Sequence, residues 1–144
     1  MRFMIIRKAD AQTEAEDMPT EQLLADMGAY MEELARAGVL LGGDGLKPSR
    51  TGVRINFKDG TPSVVDGPFA ETKELVAGYT LLQCGSMEEA VEWMKKWPRL
   101  DGNGNVSLEI RPLYEADDFG EAFTPELREQ EDRLRNELAA KAAK

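Results

Sequence analysis

The segment Arg2-Phe3-Met4-Ile5-Ile6-Arg7 carries apolar side chains at four successive positions, and in an extended chain successive side chains point to opposite faces. Phe3 and Ile5 line one face, Met4 and Ile6 the other. Such a strand is covered on both sides, so it predicts a central strand around which the other elements are arranged. Lys8 to Pro19 is polar and acidic and reads as a loop. Thr20 then suits an N-cap, with Glu21 in the first turn and Leu23, Leu24, Met27, Tyr30, Met31 and Leu34 at helical spacing up to a stop at Gly38. Val39-Leu40-Leu41 predicts a short strand running into a flexible bend, Gly42-Gly43-Asp44-Gly45.

Gly52–Lys58 and Ser63–Asp66 flank Asp59-Gly60-Thr61-Pro62, a hairpin signal. Gly78–Cys84 is a further strand. Ser86 and Glu89 form a capping box for a helix with Met87, Ala90, Val91, Met94 and Trp97 on its apolar stripe, widened by Trp93 and stopped by Pro98. Asp101–Asn105 is a loop, and Val106–Leu113 alternates as a last strand. The order is strand, helix, strand, inserted hairpin, strand, helix, strand. This predicts a split βαβ, ferredoxin-like α/β (α+β) sheet with both helices on one face, because crossovers are right-handed. The opposite face mixes apolar and charged residues and is either solvated or covered by a second copy.

Residues 115–144 differ from residues 1–114. An acidic linker, Glu115-Ala116-Asp117-Asp118, leads past the anchors Phe119 and Phe123 to Thr124-Pro125, an N-cap with proline in the first turn. The helix that follows to about Ala140 has a narrow stripe of Leu127, Leu134 and Leu138, with the pairs Glu129/Arg133, Glu131/Arg135 and Glu137/Lys141 four apart. Its stripe leans on its own domain or on a partner.

Composition narrows the function. A chain of 144 residues with 42% apolar and 31% charged residues suits one globular domain with a genuine core. A net charge of −9, with no cluster of Lys and Arg, argues against a nucleic-acid partner. The apolar run at the N-terminus is too short for a secretion signal or a membrane span, which places the expected location in the cytoplasm. Cys84, the single cysteine, lies in an apolar strand and reads as a buried thiol. The chain has no histidine, which removes Ser/His/Asp and Cys/His catalysis and the usual zinc ligands, leaving acid–base chemistry to carboxylates, Tyr or Lys. Nothing in the sequence implies a cofactor or a metal. Asp101, Asn103 and Asn105 imitate a calcium loop, but Val106 replaces its glycine and Pro112 its bidentate Glu. Gly42–Gly45 lacks the lysine of a phosphate loop.

The run Asp66-Gly67-Pro68-Phe69-Ala70-Glu71-Thr72-Lys73-Glu74 combines a turn, an aromatic ring and several charges. Together with Ala37-Gly38-Val39-Leu40, Gly42-Gly43, Leu46, Gly78-Tyr79 and Glu109-Ile110-Arg111-Pro112, it resembles the DGPF type of the YCII-related family over about Met1 to Leu113. The resemblance implies a dimeric α/β barrel, two ferredoxin-like sheets face to face with a cleft near the signature. It also implies a homodimer and, since many such proteins resemble companions of alternative sigma factors, a possible protein partner. Some wider-family members look like enzymes with a histidine–aspartate pair, a mechanism that cannot transfer to a chain without histidine.

Two function classes follow. In the first, a small-molecule lyase, isomerase or hydrolase uses Asp66 as acid–base with Glu71 beside it, Arg111 holds a substrate anion, and Phe69 and Tyr79 form walls. In the second, a regulatory or accessory module binds a small-molecule ligand through Phe69, Lys73, Tyr79, Glu109 and Arg111 without turnover, or uses its C-terminal helix to bind a protein. Each residue also has a structural role open to it: Asp66 as an Asx-turn former, Glu71, Lys73 and Glu74 as a solvated turn, Arg111 as the partner of Glu109, and Tyr79 as packing.

Overall fold

The computed structural model describes residues 1–143; Lys144 and the side chain of Thr72 lie outside the described residues. The chain divides into two compact units, Met1–Leu113 and the segment from Tyr114 onward.

In the first unit, β1 (Arg2–Lys8), β2 (Leu40–Gly45), β5 (Val76–Gln83) and β6 (Leu108–Pro112) form a four-stranded sheet in the order β2-β5-β1-β6. Its strands pair antiparallel, and β1 is central, hydrogen-bonded to β5 and β6. With α2 (Glu21–Arg36) after β1 and α3 (Met87–Met94) after β5, the connectivity is that of a ferredoxin-like split βαβ sheet. The hairpin β3 (Val53–Lys58) and β4 (Thr61–Asp66) forms a separate two-stranded sheet inserted between β2 and β5.

Strand alternation decides which face is core. Phe3 and Ile5 of β1 lie opposite Leu82 and Thr80 of β5, and this set is buried with Tyr30 and Leu34 of α2 and Ala90 and Met94 of α3. Both helices therefore cover the same face. Each of Phe3, Ile5, Leu34 and Leu82 is almost fully buried and contributes about 1.5–3 kcal/mol of transfer free energy. The opposite face carries Met4, Ile6, Leu81 and Tyr79, bordered by Arg111 opposite Met4 and Glu109 opposite Ile6.

The helix starts follow the capping residues. Thr20 accepts from the Leu23 N–H, and Ala37 caps the other end of α2 just before Gly38. Ser86 accepts from the Glu89 N–H, while the Glu89 carboxylate reaches back one residue further than in a standard box, to the Gly85 N–H at 2.7 Å. Helix α3 ends at Met94, short of the expected Trp97, and the chain continues in tight turns to Pro98.

Three local expectations are corrected. The polar segment Lys8–Pro19 contains a short helix, α1 (Ala11–Glu14), because Asp10 and Thr13 cap one another reciprocally. The glycine-rich Gly42–Gly45 is strand rather than a flexible bend. Glycine suits it because a Cβ on Gly43 would lie 2.7 Å from the Tyr79 carbonyl oxygen across the ladder. The hairpin loop is shorter than expected: Lys58 pairs with Thr61, leaving Asp59-Gly60, both at positive φ, as the two-residue turn.

From Tyr114 onward the acidic linker runs into short 3-10 turns over Ala116–Ala122, broken at Gly120 by its positive φ. Tyr114, Phe119 and Phe123 stack in sequence, with ring centroids 5.1 and 5.5 Å apart. The Arg128 guanidinium lies over Phe123 and donates to Asp117 Oδ1 at 3.0 Å. Thr124 caps α4 (Pro125–Ala142), and of the three expected pairs four apart, Glu131 with Arg135 forms an ion pair.

Candidate functional site

The signature loop follows β4, and its conformation is set by close backbone approach. Gly67 donates its N–H to the Gly52 carbonyl at 2.9 Å and lies so near the 3-10 turn Ser49–Thr51 that a Cβ would meet the Ser49 carbonyl oxygen at 1.8 Å. No residue with a side chain fits there without moving the loop. The Phe69 N–H donates to Ser49 Oγ at 3.2 Å, and the Phe69 ring receives the Arg54 guanidinium of β3 at 4.1 Å from its centroid.

Ser49 is itself held by Glu14, the last residue of α1. The Glu14 carboxylate accepts from the Ser49 N–H at 3.0 Å and from the Ser49 hydroxyl at 2.5 Å. A second contact, the ion pair of Arg50 with Glu16, fastens the same turn to the residues just after α1. The chain of contacts thus runs from Glu14 through Ser49 to Phe69 and Arg54.

These residues border an open cleft of about 420 Å³ lined by Glu14, Ser49, Arg54, Phe69 and Glu74, with Lys47 on its wall and Leu46, Pro48, Leu75 and Val76 as its apolar part. That volume lies in the range of small-molecule sites. Among the described residues, neither Arg54 nor Lys47 makes an ion pair with a carboxylate of this chain.

Of the residues singled out in the sequence, Phe69 lines this cleft. Asp66 ends β4 opposite Val53, is exposed, and its carboxylate accepts no hydrogen bond among the described residues, either from its own loop or from elsewhere. Glu71 and Lys73 are exposed beside it and are not among the lining residues. Tyr79, Glu109 and Arg111 belong to the open face of the four-stranded sheet. The Tyr79 hydroxyl donates to Asp44 Oδ2 at 3.2 Å, and this hydrogen bond, with the nearby charge, raises the phenol pKa, so the group is a hydrogen-bond donor rather than a base. Arg111 pairs with Glu109 at 3.4 Å. The residues proposed as one constellation are thus divided between the signature loop and the open sheet face.

The most tightly held charges lie elsewhere again. Arg7, buried on the core face at the end of β1, makes a fork to Asp101 at 3.1 and 2.8 Å and also donates to Asp10 and the Lys8 carbonyl. Trp97 Nε1 completes Asp101 at 2.8 Å. The hydrogen bond to Asp101 raises the Arg7 pKa despite desolvation. Partial burial opposes ionisation of Asp10, but the Thr13 N–H and Arg7 outweigh it and hold its carboxyl below the usual range. Each polar group in this network is satisfied, the mark of a structural clamp. The Cys84 thiol is buried and pushed up in pKa, first by desolvation and then by Glu89, so it is not a poised nucleophile.

Glu14, Ser49, Arg54 and Lys47 were not singled out in the sequence. The signal for Glu14 was present, since Asp10-x-x-Thr13 is a capping pattern that announces a helix turn ending at Glu14. Ser49, Arg54 and Lys47 carry no local signal, because their positions depend on contacts between distant segments.

A family model of the YCII-related domain matches residues 1–115. An uncharacterised protein of Rhizobium meliloti (strain 1021) is 32% identical over 93 residues, covering 65% of this chain and 74% of that protein. Among solved structures, 5-chloro-2-hydroxyhydroquinone dehydrochlorinase from Burkholderia phenoliruptrix AC1100, in complex with 2,5-dihydroxybenzoquinone, is similar at a TM-score of 0.46 and 15% identity, over 80% of this chain and 95% of that chain. With a family match spanning the whole sheet unit and a relative that agrees over most of its own length, the chain belongs to the YCII-related family.

Proposed function

We propose that the protein is a homodimeric small-molecule-binding protein that takes a carboxylate-bearing ligand with an apolar body into the cleft beside the signature loop, in a regulatory or accessory role without turnover. The observation that carries this reading is the pair of cations lining the cleft, Arg54 and Lys47, which make no ion pair among the described residues, Glu14 of the same cleft being taken up by Ser49. The Phe69 ring, 4.1 Å from its centroid to the Arg54 guanidinium carbon, holds in the cleft a fork of N–H donors suited to a bidentate carboxylate. Leu46, Pro48, Leu75 and Val76 supply the apolar contact. Turnover is disfavoured by the absence of histidine and by the engagement of Glu14 with the Ser49 N–H and hydroxyl, which makes this carboxylate a structural group rather than a base.

The second copy is proposed to cover the sheet face of Met4, Ile6 and Leu81, where charged and apolar groups are mixed. The inserted hairpin adds the exposed side chains Val53, Ile55, Phe57 and Val64, more apolar surface than a soluble monomer ordinarily leaves open.

Calorimetry with a panel of small aromatic and aliphatic acids beside their amides tests the ligand class. Acids are expected to bind and their amides not, with Arg54→Ala weakening binding about tenfold or more, the loss expected for one charge-assisted contact. Equal binding of acids and amides, or an Arg54→Ala protein that binds as the parent does, would overturn the assignment.

A further inference from the structure

From Tyr114 onward, no described residue is buried, and α4 leaves Leu127, Leu134 and Leu138 exposed. These three leucines are spaced by seven and four residues and fall on one side of the helix. A helix with so narrow a stripe and no buried residue does not hold itself together in water, so its apolar side calls for a partner.

The charges along α4 indicate which partner. In Pro125–Asp132, four carboxylates stand against one arginine; in Arg133–Ala142, three cations stand against one carboxylate. The same helix in antiparallel orientation therefore sets an acidic half against a basic half twice over, whereas a parallel pair sets like against like. Antiparallel pairing also opposes the two helix dipoles favourably.

We propose that α4 is an interaction surface for the α4 of a second copy of this chain, the two helices packing antiparallel along Leu127, Leu134 and Leu138. The electrostatic match sets the direction, and the leucines supply the seam. The family match ends at residue 115, so this surface lies outside the shared domain. It does not depend on the ligand assigned to the cleft.

The test uses the full chain with Cys84→Ala and a spin label at Glu126→Cys in one preparation and at Ala142→Cys in another. In an equal mixture, the antiparallel seam brings unlike ends across one interaxial spacing of about 10 Å, before label length is added. Like ends, sixteen residues apart along the axis, are separated by roughly 25 Å. Short distances between like ends, a short distance that survives dilution with unlabelled protein, or no distance between chains would each overturn the proposal. The charge pattern is tested separately. Arg133→Glu with Arg135→Glu makes one chain acidic throughout, and Glu129→Lys with Glu131→Lys makes another basic throughout; each alone should lose the inter-chain distance and their mixture should regain it. A mixture that stays unpaired, or either variant pairing alone as well as the parent, would show that the charges do not select the partner.

Discussion

Gly67 is the position where a single atom matters most. A Cβ there would stand 1.8 Å from the Ser49 carbonyl oxygen and 2.7 Å from its carbon, and neither backbone atom can rotate away. Gly67→Ala is therefore expected to cost about 2 kcal/mol or more and to loosen Phe69 from Ser49, read as a lower urea midpoint together with weaker ligand binding. An unchanged midpoint would mean that the loop has another stable path. Asp66, its neighbour, is expected to behave differently. Its carboxylate is exposed and accepts no hydrogen bond among the described residues, so Asp66→Asn should alter stability by no more than about 0.5 kcal/mol and leave binding in the cleft nearly intact. Loss of ligand binding or of a turnover in this variant, at unchanged stability, would restore the catalytic reading of Asp66. The signature was visible in the sequence as a turn beside an aromatic ring. That its glycine serves close approach, and its phenylalanine a stacked arginine, was not, because Ser49 and Arg54 reach the loop through the fold.

At the scale of elements, capping residues and periodicity marked α2, α3 and α4, and the alternation of Phe3 and Ile5 with Met4 and Ile6 marked β1 as central. The corrected segments differ in cause: α1 rests on the local cap between Asp10 and Thr13, whereas Gly42–Gly45 depends on a distant strand. Gly42–Gly45 has the composition of a bend, yet β5 supplies the hydrogen bonds and the crowding that hold it extended, a tertiary effect over a local preference. The joint between α2 and α3 offers a test by pH. The Tyr30 hydroxyl donates to the Trp93 carbonyl at 2.7 Å, and burial, with the nearby Glu33 charge adding to it, pushes its pKa up from 10.0 to about 12. The fold thus holds the proton more tightly than the unfolded chain does. This contribution is complete below pH 10 and is lost as pH rises through about 12. Tyr30→Phe should cost about 1 kcal/mol at neutral pH, through the lost hydrogen bond between α2 and α3, and flatten the decline relative to the parent between pH 10 and 12. Parallel alkaline limbs for the two proteins in denaturant titrations would contradict this.

For the whole molecule, the open sheet face and the hairpin make a concrete expectation. Sedimentation equilibrium at low micromolar concentration should give at least twice the 16.0 kDa chain mass, and Met4→Lys with Ile6→Lys should weaken self-association, leaving only the pairing through α4, by placing two unpaired charges in the proposed sheet interface. A double variant that self-associates as tightly as the parent would locate the interface elsewhere, and a parent that is monomeric throughout would remove the proposed barrel. No helix among the described residues is long and apolar enough to cross a membrane. The sequence by itself determined the order of the four sheet strands, the hairpin and the three long helices, the central strand, the two helices on one face and the family, because local periodicity, caps and turn residues act within a few positions of one another. The tertiary structure alone decided that Glu14, Ser49, Arg54 and Phe69 share one cleft, whereas strand alternation had already set Glu109 and Arg111 on the open sheet face. The physical reason is that such contacts join residues separated by tens of positions, and their geometry follows from sheet register and backbone approach rather than from any neighbour in the chain.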